Sequence, residues 1–289
     1  MKLYHLYGLA VASDFECPEL TEITPTTAAE RGYPTVMLER TQSALSLPNG
    51  QRMANWLEVT PDACLFHFKD IARMLVERPD RITVEMLPGA QESDMRAYLF
   101  GSGFGALVHM RGLIPLHISA IQTPEGVVAF TGPSGAGKST RVAELHCQHG
   151  WPIICDDVAV IHPSDEQPLL HAGMNRIKLW KDAVDRLGID PARLSRDLTR
   201  QDKFHWHAPE MFTNRTLALD VLIALDQEAK QEKALRGPAS FTTCMNAIHR
   251  PCMASLFSDR YVVFSVIARL SRQIRCQLKI PQVHPRRMP

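Results

Sequence analysis

No C-x-x-C pair occurs among the seven cysteines, Cys17, Cys64, Cys147, Cys155, Cys244, Cys252 and Cys276, which are odd in number and scattered. A zinc knuckle and a dithiol redox motif are therefore excluded, and a disulfide scaffold would be denser and usually even. The compartment expected is a reducing one, the cytoplasm. No run of about 18 apolar residues is present, so no segment is expected to span a membrane. The opening MKLYHLYGLAVASDF has one lysine and an apolar stretch broken by His5, Ser13 and Asp14, a weak pattern for a signal peptide. Charge of one sign is not in excess either. With 32 basic and 31 acidic residues the net charge is +1, which argues against nucleic-acid binding through a globally positive surface. There is no internal repeat, no low-complexity segment, and no L-S-G-G-Q-like signature of an ABC-type ATPase.

What is present is ordinary globular material. The 289 residues are 45% hydrophobic and 22% charged, enough apolar side chain for a sizeable core in one large domain or two smaller ones. Residues 1–95 read as short β-like pieces, LYGLAVA, TVMLER, NWLEVT, CLFHFKD and RITVEML, separated by Pro25, Pro48–Asn49–Gly50 and Pro79–Asp80. The pattern changes near residue 96. MRAYLFGSGFGALVHMRG has helical apolar spacing weakened by Gly101, Gly103 and Gly105, and LIPLHISAIQ and GVVAFTG read as strands.

A helix from Lys138 to His149, closed by Gly150, precedes PIICDDVAVI, a buried strand running into a second. IKLW and 181–187, closed by Gly188, give a strand and a helix. The stretch 189–215 reads as polar and irregular, LALDVLIALD as a strand, and 238–249 and 260–272 as helices. Val262, Val263, Val266, Ile267 and Leu270 are spaced as a core stripe. Strands alternating with helices predict an α/β sheet. The last residues, HPRRMP, read as an exposed basic tail.

Gly132, Pro133, Ser134, Gly135, Ala136, Gly137, Lys138 and Ser139 match G-x-x-x-x-G-K-[ST] in full, between an apolar strand and a helix, with Thr140 next in line. Glycines at 132, 135 and 137 allow the positive-φ geometry that turns successive N–H groups toward one point, an anion nest at a helix N-terminus. Lys138 is placed for the β- and γ-phosphates, and Ser139 for Mg²⁺. The reading is a nucleoside-triphosphate site. Asp156 and Asp157 end the next apolar run, 24 residues past Gly132, a distance that suits one helix and a return to the neighbouring strand. Mg²⁺ takes hard oxygen ligands, and a carboxylate at a strand end beside the cradle supplies one. Adjacent strand residues face opposite ways unless the chain turns, so one carboxylate can hold metal while the other accepts a proton from an attacking alcohol.

LHISAIQTPEGVVAFTGPSGAGKST followed by PIICDDVAVI resembles the core of the HPr kinase/phosphorylase family, over about 117–161. The likeness is closer to the small HPr-kinase-like enzymes of lasso-peptide and related ribosomal-peptide clusters, with looser echoes in LYGLAVASDFECPEL, RIKLW–KDAV and AIHR. That resemblance implies a P-loop kinase domain of the HPr kinase C-terminal type at 96–289, a mixed β-sheet flanked by helices, after a small β-rich domain at 1–95.

It also implies ATP and Mg²⁺ as cofactors and a serine of a precursor peptide, or of a small protein, as acceptor, with no nucleic acid or membrane partner. The catalytic histidine falls on His117, the base on Asp157 and the metal ligand on Asp156 with Ser139, the two aspartate roles being exchangeable. Thr140 stands where the family usually has Glu, and the downstream glycine-rich signature of the bifunctional enzymes is absent. Family members form homo-oligomers, but no residue pattern here carries that over. Two other readings fit the cradle: an HPr-type kinase acting on a folded carrier protein, and a regulatory P-loop ATPase that phosphorylates nothing.

Further candidates follow from spacing. Arg176 and Lys178 share one strand face, positive charge suited to a transferring phosphoryl group. Lys203 is a candidate mobile cation, and Arg250 resembles a recurring arginine of the peptide-kinase subgroup. His205 and His207 would share a face if extended, without an evident third metal ligand, and Trp206 between them is a candidate for stacking.

Overall fold

A computed structural model describes residues 1–197 and 202–281. The chain divides into two compact units, Met1–Pro115 with Arg250–Val263, and Leu116–His249 with the chain from Phe264 onward. The first unit thus runs past the division at residue 95 drawn from the sequence, taking in the helical stretch after it.

The first unit is built on a nine-stranded mixed sheet. Lys2–Leu6 and Leu9–Ser13 form a hairpin where one strand was read, turning at Tyr7 and Gly8, both at positive φ. Leu9–Ser13 lies parallel to Thr35–Thr41, and that strand parallel to Arg81–Met86. From there an antiparallel meander runs back through Ala72–Glu77, Ala63–Phe68 and Leu57–Val59 to the edge strand Gln51–Ala54. Alternation is visible in Ala72–Glu77, whose Ala72, Met74 and Val76 are buried while their neighbours are not. Glu92–Tyr98 and Phe104–Met110 are helical, joined by a wide π turn over Leu99–Gly103. Gly103 has a packing reason: a Cβ there would come within 2.5 Å of Met74 Sδ. Arg250–Val263 is held to this unit by Arg78 donating to Phe257 O (3.1 Å) and by His109 Nδ1 against Ser258 Oγ (3.0 Å).

The second unit carries a six-stranded sheet in the spatial order 153–155, 119–123, 126–131, 221–225, 275–279, 233–235. Ser119–Thr123 is antiparallel to both Gly126–Thr131 and Ile153–Cys155, so those two run the same way. Gly126–Thr131, Val221–Leu225 and Arg275–Lys279 are mutually parallel. The strand after the Lys138–His149 helix therefore does not return beside Gly126–Thr131, as the spacing suggested; Ser119–Thr123 lies between them. With helices flanking this mixed sheet, the unit is α/β, as the alternation of elements predicted.

A second, three-stranded sheet corrects the reading of 189–215 as irregular. Arg176–Trp180 and Leu194–Arg196 both pair antiparallel with Lys203–His207. Its apolar face, Ile177, Leu179 and Trp206, packs into a core with Phe130, Val142, Ala143, Ile153 and Ile223. The helix Arg260–Gln273 buries Val263, Val266, Ile267 and Leu270, but Val262 is exposed, the one member of the expected stripe that is not core. All seven cysteines are free thiols. Among the described residues no helix is long and apolar enough to cross a membrane. The basic tail 284–289 lies outside the described residues.

Candidate active site

The sheet brings three chain segments to one edge. Gly126–Thr131 and Ile153–Cys155 end there, and the antiparallel Ser119–Thr123 begins there, so the glycine-rich loop, the aspartate pair and His117 meet. His117 is not inside a strand, as its apolar neighbours suggested. It sits in a break between Ile114–Leu116 and Ser119–Thr123, its N–H donating to Ala247 O (2.6 Å) and its carbonyl accepting from Thr131 Oγ1 (3.3 Å).

In the loop, Gly132, Gly135 and Gly137 have φ of 139°, 87° and 93°, the positive values an anion nest needs. Gly132 has a second constraint: a Cβ there would stand 2.5 Å from Leu225 O on the adjacent parallel strand. Pro133, Ser134 and Gly135 are exposed, Ala136 is buried, and Ser139 and Thr140 are half-buried on the first helical turn. The helix Lys138–His149 starts with neither a side-chain cap nor an acidic residue in its first turn. Its leading amides are thus left for an anion. Lys138 is buried, with Nζ donating to Gly132 O (2.8 Å) and Pro133 O (3.1 Å). Burial lowers its pKa, Asp156 and Asp157 oppose that, and Lys203 adds to the lowering, which places Lys203 within electrostatic reach of the loop.

The two aspartates differ sharply. Asp156 is 3% exposed. Its Oδ1 accepts from Ser119 Oγ (2.6 Å) and its Oδ2 from the Lys178 backbone N–H (2.9 Å). Each oxygen keeps one lone pair. The chain turns at Asp157, whose φ is 78°, and its side chain stays 27% exposed. Lys178 Nζ lies 2.7 Å from Asp157 Oδ2, and His117 Nδ1 3.2 Å from Asp157 Oδ1. Burial alone would raise this carboxyl; the Lys178 ammonium and then His117 outweigh it and hold the group well below the usual carboxylate range. His117 Nδ1 also lies 2.9 Å from Asp157 O. A carbonyl only accepts, so Nδ1 carries the hydrogen and, in the neutral ring, Nε2 presents the lone pair.

Lys178 serves both aspartates, one through its backbone and the other through its ammonium. The register Arg176↔His207, Lys178↔His205 and Trp180↔Lys203 gathers these six side chains on the polar face of the three-stranded sheet. Lys203 Nζ lies 5.6 Å from the Trp180 ring centroid. Arg176 is buried, its Nη1 3.4 Å from His205 Nδ1. Trp206, on the opposite face, is core and does not offer a stacking surface. Arg250 belongs to the first unit, where at φ 50° it starts the helix Pro251–Phe257. Among the described residues no group of three or more His, Cys, Asp or Glu side chains is disposed to hold a metal, His205 and His207 included. Sequence reasoning missed Ser119 and Asp197, and considered His205 only as one of a pair of metal-ligand candidates; polar residues inside apolar or mixed runs were the available signal.

These donors fit Mg²⁺ with a nucleotide. That ion keeps several waters and phosphate oxygens and asks the protein for one or two oxygen ligands, a part that Ser139 and Asp156 would fill. No family model and no curated protein matches the chain. Among solved structures it is similar to the HPr(Ser) kinase/phosphatase from Coxiella burnetii, at 13% identity over 60% of this chain and 81% of that one, with a TM-score of 0.31. A likeness at that level carries no argument about activity.

Proposed function

We propose that the chain is an ATP-dependent kinase that transfers the γ-phosphate to a serine hydroxyl, the acceptor being a ribosomally made, lasso-type precursor peptide. The observation that carries this reading is the meeting of Asp157, held by Lys178 and His117, with the glycine-rich cradle at one sheet edge. The acceptor class comes from the sequence resemblance alone.

In this reading Gly132–Thr140 cradles the phosphates, and Lys138 exchanges its two loop carbonyls for the β- and γ-phosphate oxygens. Ser139 and Asp156 hold Mg²⁺, which when bound neutralises phosphate charge. Asp157 accepts the serine proton with His117 in support, the serine oxygen bonds to the γ-phosphorus, and the bond to the bridging oxygen breaks to release ADP. Lys178 and Arg176 balance the charge that develops on the transferring group.

A regulatory ATPase is favoured by a different observation: the Lys178 ion pair makes Asp157 a weak base. Radiolabelled ATP separates the readings. The kinase labels a serine peptide from the neighbouring genes, an HPr-type kinase labels HPr instead, and an ATPase hydrolyses slowly with no labelled acceptor. Asp157→Asn is expected to lose about 100- to 10,000-fold in transfer rate. Full transfer by that variant would overturn the base assignment, and no label on any peptide, protein or small alcohol would overturn the kinase.

A further inference from the structure

The edge of the six-stranded sheet farthest from Ile153–Cys155 carries a cavity that the reaction scheme does not use. Lys233–Leu235 ends the sheet: among the described residues it pairs only with Arg275–Lys279, and Lys233 and Ala234 are exposed. Where that strand stops, a cavity of about 400 Å³ opens, its lining including Leu235, Arg236, Ser240, Phe241, Arg272 and Ile274. The hydroxyls of Ser240 and Ser271 already donate to the carbonyls of Ser271 and Ala268, so the donors its side chains leave open are the two guanidinia.

Charge there is one-sided. Neither Arg236 nor Arg272 has an ion-pair partner among the described residues. From Phe264 to Pro281 the chain carries Arg269, Arg272, Arg275 and Lys279 and no aspartate or glutamate; Glu232, just before Lys233, is the acidic residue nearest the edge strand in sequence. The balance of 32 basic and 31 acidic residues over the whole chain conceals this cationic end. Beside the arginines the lining is apolar, and Phe264, 59% exposed, rests on Phe241 with ring centroids 5.0 Å apart. An unpaired strand edge offers backbone N–H and C=O groups to another extended chain, and a guanidinium takes a carboxylate through two parallel hydrogen bonds.

We infer that this edge docks an extended acidic peptide, which adds a strand beside Lys233–Leu235, seats an apolar side chain against Phe241 and pairs its flanking carboxylates with Arg236 and Arg272. The register sets where such a peptide leads. Lys233 pairs with Leu278, Leu278 with Ala224, and Ala224 with Thr131, the residue before the glycine-rich loop; Leu235 lies two residues farther from that loop. A peptide anchored in the cavity and running past Lys233 thus heads for the catalytic edge. Three strand spacings and about four residues of rise put the loop roughly 20 Å from the anchor, the reach of about six or seven extended residues. Naming this peptide as the phosphate acceptor rests on the kinase reading; the docking itself does not.

The docking is tested by fluorescence anisotropy of a short labelled peptide of alternating glutamate and leucine, titrated with full-length protein and no nucleotide. Expected is saturable binding that added salt weakens, with the lysine–leucine counterpart unbound and a backbone N-methylated copy about 10-fold weaker. Arg236→Glu and Arg272→Glu, at exposed positions that folding tolerates, should each lower affinity about 10-fold. Equal binding of the two peptides, unchanged affinity in both variants, or full affinity of the N-methylated copy overturns the docking edge. So does displacement of the probe by inorganic phosphate as readily as by unlabelled peptide, which would mark a simple anion site. Transfer from labelled ATP is then compared for two serine peptides, with and without an acidic–apolar segment about seven residues from the serine. The anchored peptide should have a KM about 10-fold lower in wild type but not in Arg236→Glu, with MgATP turnover in the absence of peptide unchanged by the substitution. If wild type labels neither peptide yet binds the acidic probe, the kinase reading fails and the docking edge stands. Labelling of both with the same KM overturns the docking edge and leaves the kinase.

Discussion

Ser119 is the residue whose importance its surroundings conceal. It opens a strand between apolar neighbours, is fully buried, and donates to Asp156 Oδ1 at 2.6 Å. Ser119→Ala would leave one oxygen of a buried carboxylate short of a donor, and the expected loss is about 1–3 kcal/mol of stability, measured by urea unfolding. Because Asp156 is also a proposed metal ligand, the same variant should weaken MgATP binding more than it weakens ATP binding without metal. Asp157 is constrained differently, through its backbone. A φ of 78° is tolerated by Asp, Asn and Gly and strains longer side chains. Asn therefore tests the charge without disturbing the turn, whereas Glu, the usual carboxylate replacement, would test the turn as well.

At the scale of elements, the three-stranded sheet works because its two faces are unlike. Trp206 fills the apolar side with Ile177 and Leu179, and its Nε1 is buried without a hydrogen-bond partner. Trp206→Ala is expected to cost about 3–5 kcal/mol in chemical denaturation. Trp206→Phe should cost much less, because it removes the unsatisfied donor along with the lost volume. This sheet also marks the limit of what could be read from sequence. The cradle, both aspartates, the shared face of Arg176 and Lys178, and the helices closed by Gly150 and Gly188 were legible, because local patterns specify them. Two features were not. Lys203–His207 is a five-residue strand in a polar stretch, recognisable only from its partners. The placing of Ser119–Thr123 between the cradle strand and the aspartate strand is a matter of non-local pairing, which spacing along the chain does not encode.

At the scale of the molecule, pH should act in two separate windows. The His205 ring has a folded pKa of about 4 against an ordinary 6.5, so the unfolded chain binds the extra proton between them. That stability is fully present above pH 6.5 and is lost as pH falls through about 4, with a slope of at most about 1.4 kcal/mol per pH unit. Asp157, held below its ordinary 3.8, keeps its contribution above that value and loses it only in stronger acid. Urea midpoints across about pH 3–8 should show both losses in wild type, and His205→Gln should remove the upper one alone.

The division of the chain into units has a consequence for how the protein can be taken apart. The backbone passes between them at three places, after Pro115, after His249 and after Val263. A cut after Pro115 therefore isolates neither unit: the N-terminal piece would lack 250–263, and the C-terminal piece would carry that segment away from the sheet unit it packs with. Recombination, truncation or transfer to another scaffold must treat the two as interleaved parts of one cassette. Isolating the half that carries the glycine-rich loop would require excising 250–263 and joining His249 to Phe264 by a new link.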